Sequence, residues 1–158
     1  MAETTWNLLN KGLQAALQSC GLDLGTLHFE EHWAPEWTDF LDHMTCEVDG
    51  VRQVRGWEIV RRSVDSEWFH FGKAFKRTYN FQVTGCLGLY EHGETEQGAQ
   101  DLVDRLMDFF DGQPNLPGTT YFVMGPCRVE RAYQAMVGDV LCHVAELNLP
   151  IQVIKEIT

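Results

Sequence analysis

The longest alternation of apolar and polar positions in the chain runs from Met136 to Val153. Leu141, His143, Ala145, Leu147, Leu149, Ile151 and Val153 share one side of it. The other side begins apolar at Val140, Cys142 and Val144 and turns polar at Glu146 and Asn148. A strand buried on both faces at its start and on one face later belongs in the middle of a sheet, packed against helix. Phe75 to Leu89 has the same character, with Phe75, Arg77, Tyr79, Phe81 and Val83 alternating against Lys76, Thr78, Asn80, Gln82 and Thr84. A shorter strand, Trp57 to Arg62, precedes it. Residues 63–74 between them are expected to form the projecting loop of a hairpin. That loop carries Trp68, Phe69 and Phe71 beside Lys73, aromatics that are expensive to leave in water. They either meet a neighbouring subunit, the reading preferred here, or fold back on the domain.

Two stretches switch to the helical period. Trp6, Leu9, Leu13, Ala16, Leu17 and Cys20 repeat at three and four, predicting a helix from Thr5 to Cys20, capped by Thr4 or Thr5 and stopped by Gly21. Ala99, Leu102, Val103, Leu106, Phe109 and Phe110 predict a second from Thr95 to Asp111, with Glu94 and Glu96 complementing its dipole and Gly112 and Pro114 ending it. A strand is expected over Leu27–Trp33, ended by Pro35. Trp37, Phe40, Leu41 and Met44 suggest a short helical or irregular stretch, and short strands are expected near Thr120–Met124 and Arg128–Tyr133. The sum is an α+β protein: a mixed, mostly antiparallel sheet of about four to six strands, two main helices packed on it, and a projecting β-hairpin. Residues 1–158 are read as a single domain.

Composition narrows the function. An apolar content of 44% excludes a mainly disordered chain, and no apolar run approaches the roughly 20 residues of a membrane span. The first residues, Met1-Ala-Glu-Thr-Thr5, carry no secretory pattern. The cysteines at 20, 46, 86, 127 and 142 are odd in number, never paired as Cys-x-x-Cys, and lie in apolar patterns. Reduced, buried thiols are therefore expected. Twelve basic against twenty-three acidic residues give a net charge of −11, which argues against sequence-independent binding of nucleic acid. Seven of the basic residues (Arg52, Arg55, Arg61, Arg62, Lys73, Lys76 and Arg77) crowd between 52 and 77, opposed there by Glu58, Asp65 and Glu67 alone. With Trp68, Phe69 and Phe71 they form a candidate interface with a subunit or partner. Asp101, Asp104, Asp108 and Asp111, spaced three, four and three, form an acidic stripe on the second helix, either a solvated face or the lining of a channel that DNA crosses without sticking.

No catalytic constellation stands out. His28-Phe-Glu-Glu-His32 matches the inverted zinc-hydrolase pattern, in which His28 and His32 would hold the metal and Glu31 would activate water. That motif needs a helix, whereas this segment follows a Gly-containing turn and reads as a strand. His43 with Cys46, and Cys142 with His143, lack a second pair at structural-zinc spacing. Thr84-Gly-Cys-Leu-Gly-Leu89 lacks the Lys-Ser/Thr of a phosphate loop, so Gly85 and Gly88 instead mark a bulge or a close backbone approach. No cofactor is expected.

Four segments in order, His28-x-x-x-His-Trp33, Gly56-Trp-Glu-Ile-Val-Arg-Arg62, Arg77-Thr-Tyr-Asn-Phe-Gln-Val-Thr-Gly-Cys-Leu-Gly-Leu89 and Met136-Val-Gly-Asp-Val-Leu-Cys-His-Val-Ala-Glu-Leu147, resemble tail terminator (tail-completion) proteins of tailed bacteriophages and prophages. The resemblance covers roughly residues 26–150 and rests on structural rather than catalytic words. It implies a homohexameric ring on the end of the tail tube that stops polymerisation and faces the neck or head-completion proteins. The partners it implies are the chain itself, the tube protein and the neck, with DNA only in transit and no membrane. The implied location is the tail-neck junction of the virion, reached from the host cytoplasm during assembly. A neck or head-to-tail adaptor is the alternative, and a zinc hydrolase the more distant one.

Overall fold

A computed structural model describes residues 3–29, 42–48, 50–70, 72–88, 95–113, 115–117, 122–137 and 139–157. The expectations for Glu31, His32, Trp33, Pro35, Trp37, Phe40, Leu41, Phe71, Leu89, Glu94, Pro114 and Thr120 lie outside the described residues. In chain order the elements are α1 (Thr5–Gln18), β1 (Thr26–His28), β2 (Thr45–Val48), β3 (Val51–Phe69), β4 (Ala74–Gly88), α2 (Thr95–Asp111), β5 (Phe122–Met124), β6 (Arg128–Val137) and β7 (Val140–Glu156).

The strands are hydrogen-bonded in the order β1-β3-β4-β7-β5, with β6 also paired to β7 and β2 to the start of β3. Among the described residues only the β1–β3 pair is parallel; β2–β3, β3–β4, β4–β7, β5–β7 and β6–β7 are antiparallel. The expected fold class holds, and β7 is the interior strand that its pattern predicts. Ala145, Leu147, Leu149, Ile151 and Val153 bury one face of it in the main core. From α1 that core takes Leu9, Leu13, Ala16 and Leu17; from α2 it takes Ala99, Leu106 and Phe110; from β3 and β4 it takes Trp57, Ile59, Phe81 and Val83. The opposite face is buried only near the start of β7, where Cys142 and Val144 join Met44, Val54, Cys86 and Val137 in a smaller cluster. Pro150, which has no N–H to donate, falls where β6 pairing has ended at Asn148 and β5 pairing begins at Ile151, so no ladder bond is lost there.

Thr4 caps α1 by accepting from the Asn7 N–H, and Gly21 takes the left-handed backbone (φ 74°) that the stop requires. α2 has the predicted ends, with the Gly112 N–H closing on the Asp108 carbonyl. Gly85 is a close approach, as expected. A Cβ there would lie 2.6 Å from the Trp57 ring, which crosses over it from the paired position on β3.

Several boundaries differ from the pattern reading: α1 ends at Gln18 rather than Cys20, β1 ends at His28, and β6 continues to Val137 rather than Tyr133. The alternation from Met136 is two strands, because Val137 pairs with Val140 across a tight hairpin and Met136 belongs to β6. Leu141, assigned to the buried side, is 40% exposed, one pair from the hairpin end of the β6–β7 ladder. The first hairpin strand starts at Val51 rather than Trp57. The loop expected over 63–74 is mostly strand: the ladder runs from Ser63↔Asn80 to Phe69↔Ala74. The turn itself is confined to the positions around His70 (φ 52°) and Gly72 (φ 77°). The hairpin is also a three-stranded arm, since β7 flanks β4 from Ala74↔Glu156 inward.

Candidate subunit-interaction surfaces

The basic residues singled out in the sequence do not converge on one patch. At about 3.3 Å per residue, the nineteen residues of β3 span roughly 60 Å, with Arg52 near one end and Trp68 near the other. Arg52 pairs with Asp42, and Arg55 pairs with Asp23 at 2.9 Å, both at the α1–β2 end. A bulge after Arg61 separates that residue from Arg62. The Arg61 guanidinium stacks over Trp6 on the helix-covered face, 4.8 Å from the ring centre, while the Arg62 Nε donates to Gln82 on the opposite face. Lys76 lies on that opposite face with Glu67, 3.0 Å away.

Three cations do gather. Arg61, Arg77 and Lys155, on neighbouring strands of the arm, line an open groove of 510 Å³ beside the first turn of α1. Lys155 is the member that sequence reading missed. It lies far from the basic segment in the chain and arrives only through the Phe75↔Lys155 register. Next to this groove the tip of the arm carries Trp68, 65% exposed, stacked on Phe75 with ring centroids 4.5 Å apart. Val64, on the same strand, is 40% exposed. Phe69 is half-buried and meets His70 edge-on, and Lys73 in the turn is exposed.

At the other end of the same face lies a second groove, of 480 Å³, between the start of α2 and the β4–β7–β6 part of the sheet. Leu87, Val103, Val129 and Ala145 supply apolar walls; Gln100, Asp104, Gln134 and His143 supply polar ones. The Nε2 of His143 is buried there with no hydrogen-bond partner. Asp101, Asp104 and Asp108 are exposed on α2. Asp111, the fourth member of the predicted stripe, plays a different part. Its Oδ1 accepts the Cys127 N–H at 2.7 Å and ties the end of α2 to the approach to β6. The exposed side chains of Met136 (59%) and Tyr133 (36%) lie on the β6 edge.

His28 of the zinc pattern is on β1, a strand, with its Nε2 donating to the His43 carbonyl at 2.8 Å and its ring stacked on that of His43. Among the described residues no group of three or more His, Cys, Asp or Glu side chains is placed to hold a metal ion. The thiols are free. Burial pushes Cys86 and Cys127 up to about 12 and Cys142 up to about 11, so these three stay protonated and unreactive at neutral pH. No helix among the described residues is long and apolar enough to cross a membrane.

The described residues thus form a seven-stranded, mostly antiparallel sheet with two helices on one face and an extended arm. The same fold is found in the sheath/tube terminator of an extracellular contractile injection system, PVC, seen in its extended state by cryo-EM. The TM-score is 0.50 at 12% sequence identity, and the match covers 100% of this chain and 58% of that one. This chain therefore spans a little over half the length of that terminator. No protein-family model matches the sequence, and no curated protein matches it.

Proposed function

We propose that this protein is a structural tail component, a subunit of a homohexameric ring that caps the tail tube, ends its polymerisation and presents a face to the neck or head-completion proteins. The likeness of the whole chain to a sheath/tube terminator fold is the observation that carries this reading. Its surfaces suit the role. The arm and the α2 groove are different surfaces at opposite ends of one molecule, and copies that join unlike faces form rings when the rotation closes. In the ring, DNA passes through the channel without specific contact. The protein needs no cofactor for this role and performs no catalysis. Its place is the tail-neck junction of a phage, prophage or related particle, with assembly in the host cytoplasm.

Electron microscopy of particles produced without this gene tests the proposal. Overlong or unjoined tails are expected, because growth no longer stops at its proper end. Tails of normal length lying beside full heads would move the assignment to a neck adaptor. Intact, infectious particles would refute a virion role.

A further inference from the structure

We propose that Trp68 of one copy seats in the α2–β6 groove of the next, so that this knob and groove form the repeating contact of the ring. The inference rests on the ring reading above and specifies its interface.

A Trp left 65% exposed at the end of the arm is an unusual use of the largest apolar side chain. Buried aromatics in pockets are the anchors that dominate protein interfaces. The groove has the complementary form. Its 480 Å³ lies within the roughly 300–1,000 Å³ of clefts that enclose a bound group, and its walls are Leu87, Val103 and Val129. The Asp104 carboxylate in its wall can accept the one N–H that an indole offers. The rims match in charge. Lys73, Arg77 and Lys155 surround the tip, while Asp104 lines the groove and Asp101 and Asp108 share its side of α2. Opposed charges of this kind set register and exclude wrong partners.

The occupant must be a second copy. Trp68 is paired with Phe75, and the groove is reached at Leu87 of the same strand. Those twelve residues of β4 extend about 40 Å at ~3.4 Å each. The two features also lie towards opposite edges of the sheet, Trp68 on β3 and the groove against β6. No molecule reaches its own groove. A contact between unlike surfaces is heterologous, so each copy keeps one free knob and one free groove until the ring closes.

The test is disulfide trapping in particles isolated from cells that express the complete tail gene cluster. Ser66→Cys on the arm is combined with Gln100→Cys at the groove in one chain. Mild oxidation is expected to give a ladder of cross-linked oligomers ending at the ring size, whereas either single variant gives none beyond background. Adding Trp68→Ala or Asp104→Lys, both at exposed positions that leave the fold unaltered by circular dichroism, is expected to abolish the ladder. Protein present on particles without a ladder overturns this contact and leaves the ring reading standing. A ladder that survives Trp68→Ala overturns the anchor. Protein absent from the particles removes the ring reading, and this contact with it.

Discussion

Replacing Gly85 by Ala tests the packing of β3 against β4 within the core. A methyl at Gly85 would meet the Trp57 ring at 2.6 Å for two atoms and 2.8 Å for a third. Ordinary van der Waals contact begins near 3.4 Å, so one partner must yield by close to an ångström. Trp57 is 1% exposed and lies within the main core, so the ring has little room to swing. Overpacking of this kind costs about 1–3 kcal/mol, and the rigidity of the site places Gly85→Ala near the upper end. For a chain of this length each kcal/mol moves the melting temperature by ~2–4 °C, which predicts a fall of roughly 6–12 °C. The sign is diagnostic. Gly85 does not have a positive φ. Without the clash, alanine would therefore stabilise by about 0.4–1 kcal/mol, through the entropy removed from the unfolded chain. Thermal and urea unfolding followed by circular dichroism reads the difference. Trp57→Leu removes the offending ring atoms, and in that background Gly85→Ala should cost less than ~1 kcal/mol, a coupling of about 2 kcal/mol. A neutral or stabilising Gly85→Ala in the native background refutes the argument. So does an equal cost in both backgrounds.

Two further outcomes follow from the same packing. Asp111→Ala should destabilise by about 1–2 kcal/mol, because it leaves the Cys127 N–H without its charged acceptor. Asp101→Ala should stay within ~0.5 kcal/mol, and equal effects would show that Asp111 is only another member of the stripe. Folded-state pKa values near 12 for Cys86 and Cys127, and near 11 for Cys142, exceed the ordinary 9.0. Above pH 9 the unfolded thiols lose protons that the folded ones keep, so the contribution of these three groups to stability is level below pH 9 and declines as pH rises from about 9 towards 12. Urea midpoints across that range should fall less steeply in Cys127→Ala than in the native chain, and parallel slopes would remove this thiol from the account.

Elements that satisfy themselves locally were readable from the sequence. α2 carries its own apolar stripe and its stop, and both of its ends were predicted. β4 and β7 alternate because one face of each is buried along most of its length, so period and burial agree. Cys86, Cys127 and Cys142 were readable for the same reason, as apolar-pattern positions that proved buried, whereas Cys20 and Cys46 are only half-buried. The turn between β6 and β7 had a local signal too. Gly138-Asp139 is a two-residue hairpin dipeptide, obscured because apolar alternation continues on both sides of it.

Tertiary structure alone decided the rest. Residues 61–68 of β3 are exposed on both faces and carry no period. They are strand because β4 pairs with them across the hairpin and β7, roughly 70–80 residues further along the chain, in turn holds β4. The clustering of Lys155 with Arg61 and Arg77 follows from that register, as does the removal of Arg52 and Arg55 to the far end. Asp111 and Asp104 look alike in a helical stripe, yet only Asp111 meets the Cys127 backbone, because the return of the chain to the sheet passes the end of α2. Composition and periodicity record which face of each element avoids water. Which faces then lie together is set by strand register, and register is a property of pairs of segments, not of either one read alone.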